Sequence, residues 1–457
     1  MTTPLTLDLG RFISGLRCAD VPRAARAQIA TAFADTIGVA IAGAAEPAPQ
    51  LVKAMLAPGG NEATLLGRQG RASALDAAWI NGTAAHALDF DDVSQRGIGH
   101  ASASLVPAVL AEAEALGATG ARMVAAYAAG YETMAELARR DADVGRYHDK
   151  GWHPTGFFGA VGAAAACASL RGLDAEGCAM ALGLAASQAS GLIANVGTMT
   201  KPFHAGRAAH AGVVSARLVA NGFTAALDAF EHAPGFLMAF SHGGRIDVDS
   251  PITAGADWKI CAGNRISVKK YPLCYCTHRS LDGMFDLLQA HPVAADDVER
   301  ITVSLSRRNV TILRNHAPRT GLEAKFSIEF ALAAPLIAHR AGLAELVDAF
   351  VLRPDVQALM RRVVIEPDDR DNPDRPGYAI HDRVRVDLRD GRRLDSGPIV
   401  SVRGDHDLPL RRDELWAKFE DCLAVSGTGM RAERLFDALM RLDELAHVRD
   451  LMELMEH

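Results

Sequence analysis

The chain has 457 residues, 49% hydrophobic and 23% charged, the balance of an ordinary globular protein, and that length predicts two domains, one built from discontinuous segments. A net charge of -7 excludes a nucleic-acid binder of the usual kind, whose phosphate contacts require a basic face. No apolar run reaches the roughly 18 residues that span a bilayer, and Met1 to Gly10 has no basic n-region followed by an apolar stretch, so the expectation is a cytoplasmic protein without a membrane partner.

Arg23 to Ala42 is the first strong helical pattern, introduced by Val21-Pro22, since proline suits a first helical turn. Leu105 to Arg139, Phe157 to Leu170, Ala175 to Leu192 and Gly206 to Asn221 have the same period. Several are apolar all round, as expected of helices buried between other helices. Near Trp258 the pattern changes. Glu299 to Arg307, Arg361 to Glu366 and Arg383 to Leu388 alternate apolar and polar residues, as half-buried strands do. Asp390-Gly391 is a hairpin turn, because glycine tolerates positive φ. Helical patterns at Ser280 to Ala290 and Ser327 to Ala341 lie between the strands, and helices return at Leu415 to Cys422 and Met430 to Leu442. The expected fold is mainly α: a large all-helical domain from 1–264 and 401–457, with a smaller α+β domain, 265–400, inserted. Seven scattered cysteines do not make a disulfide framework. Cys274 and Cys276 are too close for ordinary CxxC metal spacing and read as small, half-buried residues.

Four polar islands interrupt the apolar helices. The first runs from Asn81 to Asp92 and is followed by His100. His86 and Asp89 fall at i, i+3 on one helical face, where a carboxylate can hold one tautomer of the imidazole. A capping cluster with Asp91 and Asp92 solvated, and a divalent-metal site, are the other readings of these residues. The second island is Tyr147-His148-Asp149-Lys150-Gly151-Trp152-His153-Pro154, running into a Gly/Ala helix. His153 precedes proline and would stand at the positive end of that helix, which favours neutral imidazole or a bound anion.

The third island, Gly197 to His210, places Lys201 in a Gly/Thr-rich loop and Arg207 in the turn starting the next helix, with His204 between them. Cations beside free helix N–H groups make a carboxylate receptor. The GxxxxGK[ST] order of a phosphate loop is absent. The fourth, Lys269 to Arg279, concentrates Lys270, His278 and their neighbours where the α+β part begins. An acidic protein that gathers His, Lys and Arg into such islands has the pattern of a pocket for a small polyanion.

With these four motifs in order, the chain resembles the MmgE/PrpD family, which includes 2-methylcitrate dehydratases, cis-aconitate decarboxylases and iminodisuccinate epimerases. The matching stretches are HALDFDD at His86, Asp89, Asp91 and Asp92, with His100 after it, GWHPTG at His153, GTMTKPFHAGR at Lys201, His204 and Arg207, and KKYP to TH at Lys270 and His278. The resemblance implies a homodimer, an active site at the domain junction, and neither metal nor organic cofactor. It makes Asp89, His100, His153 and Lys201 catalytic, with Tyr147 and His148 as further acid–base candidates. His86, His204, Arg207, Lys270 and His278 would bind a small anionic polycarboxylate.

The implied chemistry is proton abstraction α to a carboxylate, with His153 or the Tyr147/His148 pair as base, Lys201 and Arg207 neutralising charge, and Asp89 orienting His100 or His86. Val93 and Phe330 stand where the decarboxylase branch carries hydroxyl groups. The GWHPTG form is unlike typical 2-methylcitrate dehydratases, and the stretch upstream of GWH, with Tyr147-His148, is closer to the epimerase branch, so an epimerase-like isomerase is favoured over a lyase, whether dehydratase or decarboxylase. A metabolite-binding protein without turnover is the remaining alternative.

Overall fold

The computed structural model describes residues 4–456 apart from 69, 95–96, 144–145, 148, 262–265, 373–374 and 428–430. His148 lies outside the described residues. The chain is mainly helical, with three small sheets among the described residues. Its contacts divide it into two compact units, Met1–Val268 with Leu415–His457, and Lys269–Glu414. No single described helix is long and apolar enough to cross a membrane.

The first unit contains α1 (Leu5–Gly15), α2 (Arg23–Gly43), α3 (Pro47–Leu56), α4 (Ala74–Ala87), α5 (Ala101–Leu116), α6 (Gly120–Arg139), α7 (Pro154–Arg171), α8 (Ala175–Ala186), α9 (Thr200–Ala220) and α10 (Phe236–Phe240). A two-residue ladder joins β1 (Ala63–Thr64) to β2 (Arg71–Ala72). The run expected as one helix over Leu105 to Arg139 is two, because Gly117 turns left-handed at φ 60° and Thr119 caps the next helix by accepting the N–H of Arg122. The third island is helical from Thr200, so Lys201 stands in the first turn of α9 and not in a loop. Pro202 allows this, since first-turn N–H groups have no intrahelical acceptor.

Small residues set the distances between these helices. A Cβ added to Gly206 would lie 2.2 Å from Thr83 Oγ1 and 2.4 Å from the Trp79 carbonyl, and one added to Gly82 would lie 2.9 Å from Gly206 Cα. α4 and α9 therefore cross almost backbone to backbone, which brings the end of α4 beside the start of α9. Overpacking such a crossing by a single methyl costs about 1–3 kcal/mol. A Cβ at Gly156 would strike Ser190 O at 2.2 Å, so the start of α7 is seated as closely on the following loop.

The second unit carries α11 (His278–Ala290), α12 (Arg307–Ile312), α13 (Gly321–Ala324), α14 (Ile328–Ala338), α15 (Asp348–Val351) and α16 (Pro354–Met360). Its main sheet contains β3 (Val298–Ser306), β4 (Val363–Asp368), β7 (Arg383–Leu388) and β8 (Arg393–Asp395), in the order β4-β3-β7-β8, while β5 (Asp371–Asn372) pairs with β6 (Arg375–Ala379). β3 and β4 are parallel, and β7 runs antiparallel to β3. Ile301, Val303, Leu305, Val384, Val386 and Leu388 put one face of the sheet into an apolar core with Leu281, Met284, Ile328 and Phe330. Cys274 precedes and Cys276 lies within a single tight turn, Tyr275–Thr277, and all seven cysteines are free. The chain then returns to the first unit through α17 (Arg412–Ser426), α18 (Ala432–Met440) and α19 (Val448–Glu456), with α17 starting just before the division.

Candidate active site

α4 ends at Ala87, one residue after His86, and Asp89 follows in the left-handed region at φ 53°. That turn takes Asp89 off the helical face it was expected to share with His86. Asp91 takes its place: His86 Nδ1 lies 3.0 and 2.9 Å from the two Asp91 carboxylate oxygens, and His100 Nδ1 lies 3.1 Å from Oδ2. The side chains of His86 and Asp91 are fully buried. An ionised Asp91 near both Nδ1 atoms favours the tautomers with the proton on Nδ1 and the lone pair on Nε2, and the His86 Nδ1–H donates to it. His86 Nε2 has no hydrogen-bond partner among the described residues.

Asp89 instead meets Lys201, whose ammonium donates to its Oδ1. His100 and His153 each stand immediately before a helix, α5 and α7, where free N–H groups repel a cation and attract an anion. The two helix starts are tied together, since the His100 N–H donates to Thr155 Oγ1 at 3.1 Å. The His153 N–H donates to Gly191 O at 3.0 Å, and its ring stacks on that of His86 with centroids 5.9 Å apart and planes 17° apart. Behind it His204 presents Nδ1 at 3.1 Å from His153 Nδ1. Four imidazoles, two carboxylates and one ammonium thus converge within the first unit.

Burial pushes the His86 imidazole down to about 4, with Lys201 adding to the drop and Asp91 opposing it. Burial, with His86 and Lys201 next, also lowers His153. Burial followed by the Lys201 charge lowers His204. Burial alone would raise Asp91, but His86 and His100 hold it well below the usual carboxylate range. His86, His153 and His204 therefore rest neutral beside an ionised Asp91. Asp92 behaves oppositely: burial, then the nearby Asp35, raises it to about 8, and Ser102 donates to it while sharing a 2.7 Å contact with Tyr127. Neither Asp91 nor Asp92 is solvated, as one sequence reading had it.

The remaining expected residues have other surroundings. Arg207 lies 4.4 Å over the Trp79 ring and donates through Nη1 to His210 Nδ1 at 2.8 Å. Tyr147 is buried edge-on to Phe157 and Phe158, and burial together with Asp141 holds its phenol far above the range of a general base. In the second unit, Lys270 pairs with Glu414 at 2.9 Å, and His278 Nε2 lies 3.2 Å from the Leu273 carbonyl. Val93 exchanges backbone hydrogen bonds with Ser267. Phe330 is fully buried with its ring edge-on to Phe350, so within its own unit the absent hydroxyl is a matter of packing. A cleft of about 640 Å³ on that unit is lined by Arg300, Arg361, Arg392 and Arg393. Asp387 and Asp390 neutralise three of these, as on an ordinary solvated sheet face.

His86, Asp89, Asp91 and His100 offer donor atoms within 4.8 Å of one another, a set able to hold a divalent cation. The existing bonds compete with one: a cation would have to displace Lys201 from Asp89 and the Nδ1 groups from Asp91. Sequence reasoning missed Asp91 as the centre of this cluster. The i, i+3 rule applies only while the helix lasts, and the helix stops before Asp89.

The MmgE/PrpD N-terminal domain matches residues 7–249, and the MmgE/PrpD C-terminal domain matches 271–443. The chain is similar to cis-aconitate decarboxylase of Homo sapiens, 27% identical over 81% of this chain and 76% of the relative. It is also similar to that of Mus musculus, 26% identical over 83% and 78%, and to that of Aspergillus terreus, 24% identical over 99% and 96%. These relatives are named as decarboxylases, and they lend the epimerase reading no support. With both of its domains matched in order, the chain belongs to the MmgE/PrpD family.

Proposed function

We propose that this chain is a cofactor-independent lyase that removes CO2 from a small tricarboxylate of the cis-aconitate type. The observation that carries this reading is the group of buried and half-buried imidazoles, two of them with Nδ1 facing one ionised carboxylate, beside a lysine already paired with Asp89. The names of the relatives support the same class of reaction.

In decarboxylation the C–C bond to one carboxylate breaks, CO2 leaves, and the electron pair moves through the adjacent double bond. The far carbon then takes a proton. Such a step needs cationic groups to hold the other carboxylates and an acid at the receiving carbon. Lys201 supplies the cation. The acid is His153 or His100. The neutrality of His153 at rest fits this role, because a polyanion entering the site raises the pKa of a nearby imidazole and draws in the proton that the carbon will take. An imidazolium otherwise disfavoured by burial is a strong donor.

The test is incubation with cis-aconitate and other tricarboxylates in deuterated water, followed by NMR. The expected result is CO2 release with one solvent deuteron fixed in the product, lost in Lys201→Ala and His153→Ala. Binding of the tricarboxylate with neither CO2 release nor deuterium uptake would identify a binding protein without turnover.

A further inference from the structure

Lys418, on α17, is remote in sequence from every residue of the cluster, yet it folds into the same unit. Its side chain is only 4% exposed. The ammonium donates to the Phe90 carbonyl at 2.7 Å, pairs with the fully buried carboxylate of Asp35 on α2, and stands 3.9 Å from the centre of the Phe90 ring. Phe90 is the residue between Asp89 and Asp91. One buried cation thus holds both the backbone and the ring at the midpoint of the turn that gives the two carboxylates different partners, Asp89 to Lys201 and Asp91 to His86 and His100.

The turn needs such a hold. Asp89 occupies the left-handed region, which costs a non-glycine residue about 1–2 kcal/mol and persists only where the surroundings over-determine it. Two of the fixings are the carboxylate contacts themselves, and a third is Ser102 on Asp92. Lys418 is the one described here that comes from the C-terminal segment and that grips the main chain. A solvent-exposed lysine could be worth nothing at this place. A buried one is costly unless its charge and its N–H groups are met, and Asp35 and the Phe90 carbonyl meet them.

We propose that Lys418 is a positioning residue for the candidate active site. It fixes the Phe90 peptide so that Asp91 faces the Nδ1 atoms of His86 and His100 while Asp89 reaches Lys201. Lys418 touches no substrate and acts only through this turn. Its effect on turnover rests on the lyase reading above, whereas its effect on the geometry does not.

Removing the lysine alone would take the cation from the buried Asp35 carboxylate, so a loss of turnover could come from loss of the fold. The informative variant is Lys418→Met with Asp35→Leu, since replacing both members of a buried pair by apolar groups is often neutral for stability. Histidine side-chain 15N NMR of the full chain reads the tautomers of His86 and His100. We expect a single Nδ1–H tautomer for each in the wild type and a mixture in the double variant, at a Tm within a few degrees. In parallel, kcat with cis-aconitate should fall at least 10-fold while KM changes less than about 3-fold. Unchanged tautomers in a folded double variant would overturn the proposal. Absence of turnover in the wild type would instead remove the lyase reading and leave the NMR result to decide on Lys418. If the apolar pair does not fold, Lys418→Gln with Asp35→Asn keeps polarity without the charge, and the same two tautomers are read in it.

Discussion

His153 and His204 face each other through like atoms, Nδ1 to Nδ1, at 3.1 Å. Only one proton fits between two such nitrogens, so one ring donates and the other accepts. The choice decides whether His153 offers the rest of the site an N–H or a lone pair at Nε2. His204 is thereby placed to set the tautomer of His153, a different task from the substrate contact expected of it from sequence.

His204→Ala removes the partner and leaves His153 free to take either tautomer. The expected outcome is a kcat lowered by about 10- to 100-fold, the range of a compromised acid–base group, with Tm little changed because His204 carries no other described hydrogen bond. Steady-state kinetics beside a thermal melt checks this. An unchanged kcat would return His204 to a packing role.

Lys201→Met should lower kcat/KM by about 1,000-fold or more, since it removes a cation at the substrate and takes the ammonium from the largely buried Asp89 carboxylate. The companion Lys201→Met with Asp89→Asn removes that charge too. It should recover Tm without recovering turnover, which separates the catalytic loss from the structural one.

Stability should depend on pH through two buried groups of opposite sign. Asp92 is raised from its ordinary 3.8 to about 8, so its contribution is full below 3.8 and declines as pH rises through that window. His86 is lowered from 6.5 to about 4, so its contribution is present above 6.5 and is lost as pH falls toward 4. Asp92→Asn, which keeps the hydrogen bond and cannot ionise, should therefore raise Tm by several degrees at pH 8 and by less at pH 5. Equal gains at the two pH values would show that Asp92 is ionised in the folded protein.

Prolonged dialysis against EDTA should leave turnover of cis-aconitate unaltered if His86, Asp89, Asp91 and His100 act through the bonds described here. Loss of activity that added Mn2+ or Zn2+ restores would assign the four to a resident cation.

Much of the local structure was legible because it depends on near neighbours. The 3.6-residue period found α2 within one residue at its C-terminal end, and the period of two with Asp390-Gly391 found β7 and its hairpin to β8. The apolar character of α7 on every side announced a helix with almost no solvent face. Motif order also placed His86, His100, His153, Lys201 and His204 among the candidates before any coordinates. Where helices start and stop is harder to read, and the Gly/Thr-rich stretch from Gly197 reads as a loop that extends to Lys201. In fact Pro202 only excludes an N–H that the first turn does not use.

By itself, then, the sequence determined the helical character, the family and the residue types of the site, since these follow from composition, period and motif. Tertiary structure alone decided which carboxylate serves which base. Asp89 and Asp91 are chemically identical and two positions apart, and one left-handed residue sends the first to Lys201 and the second to two histidines. It also brought Lys418 from the far end of the chain to the peptide between them, a contact that no local pattern encodes because it depends on how helices of Gly and Ala pack.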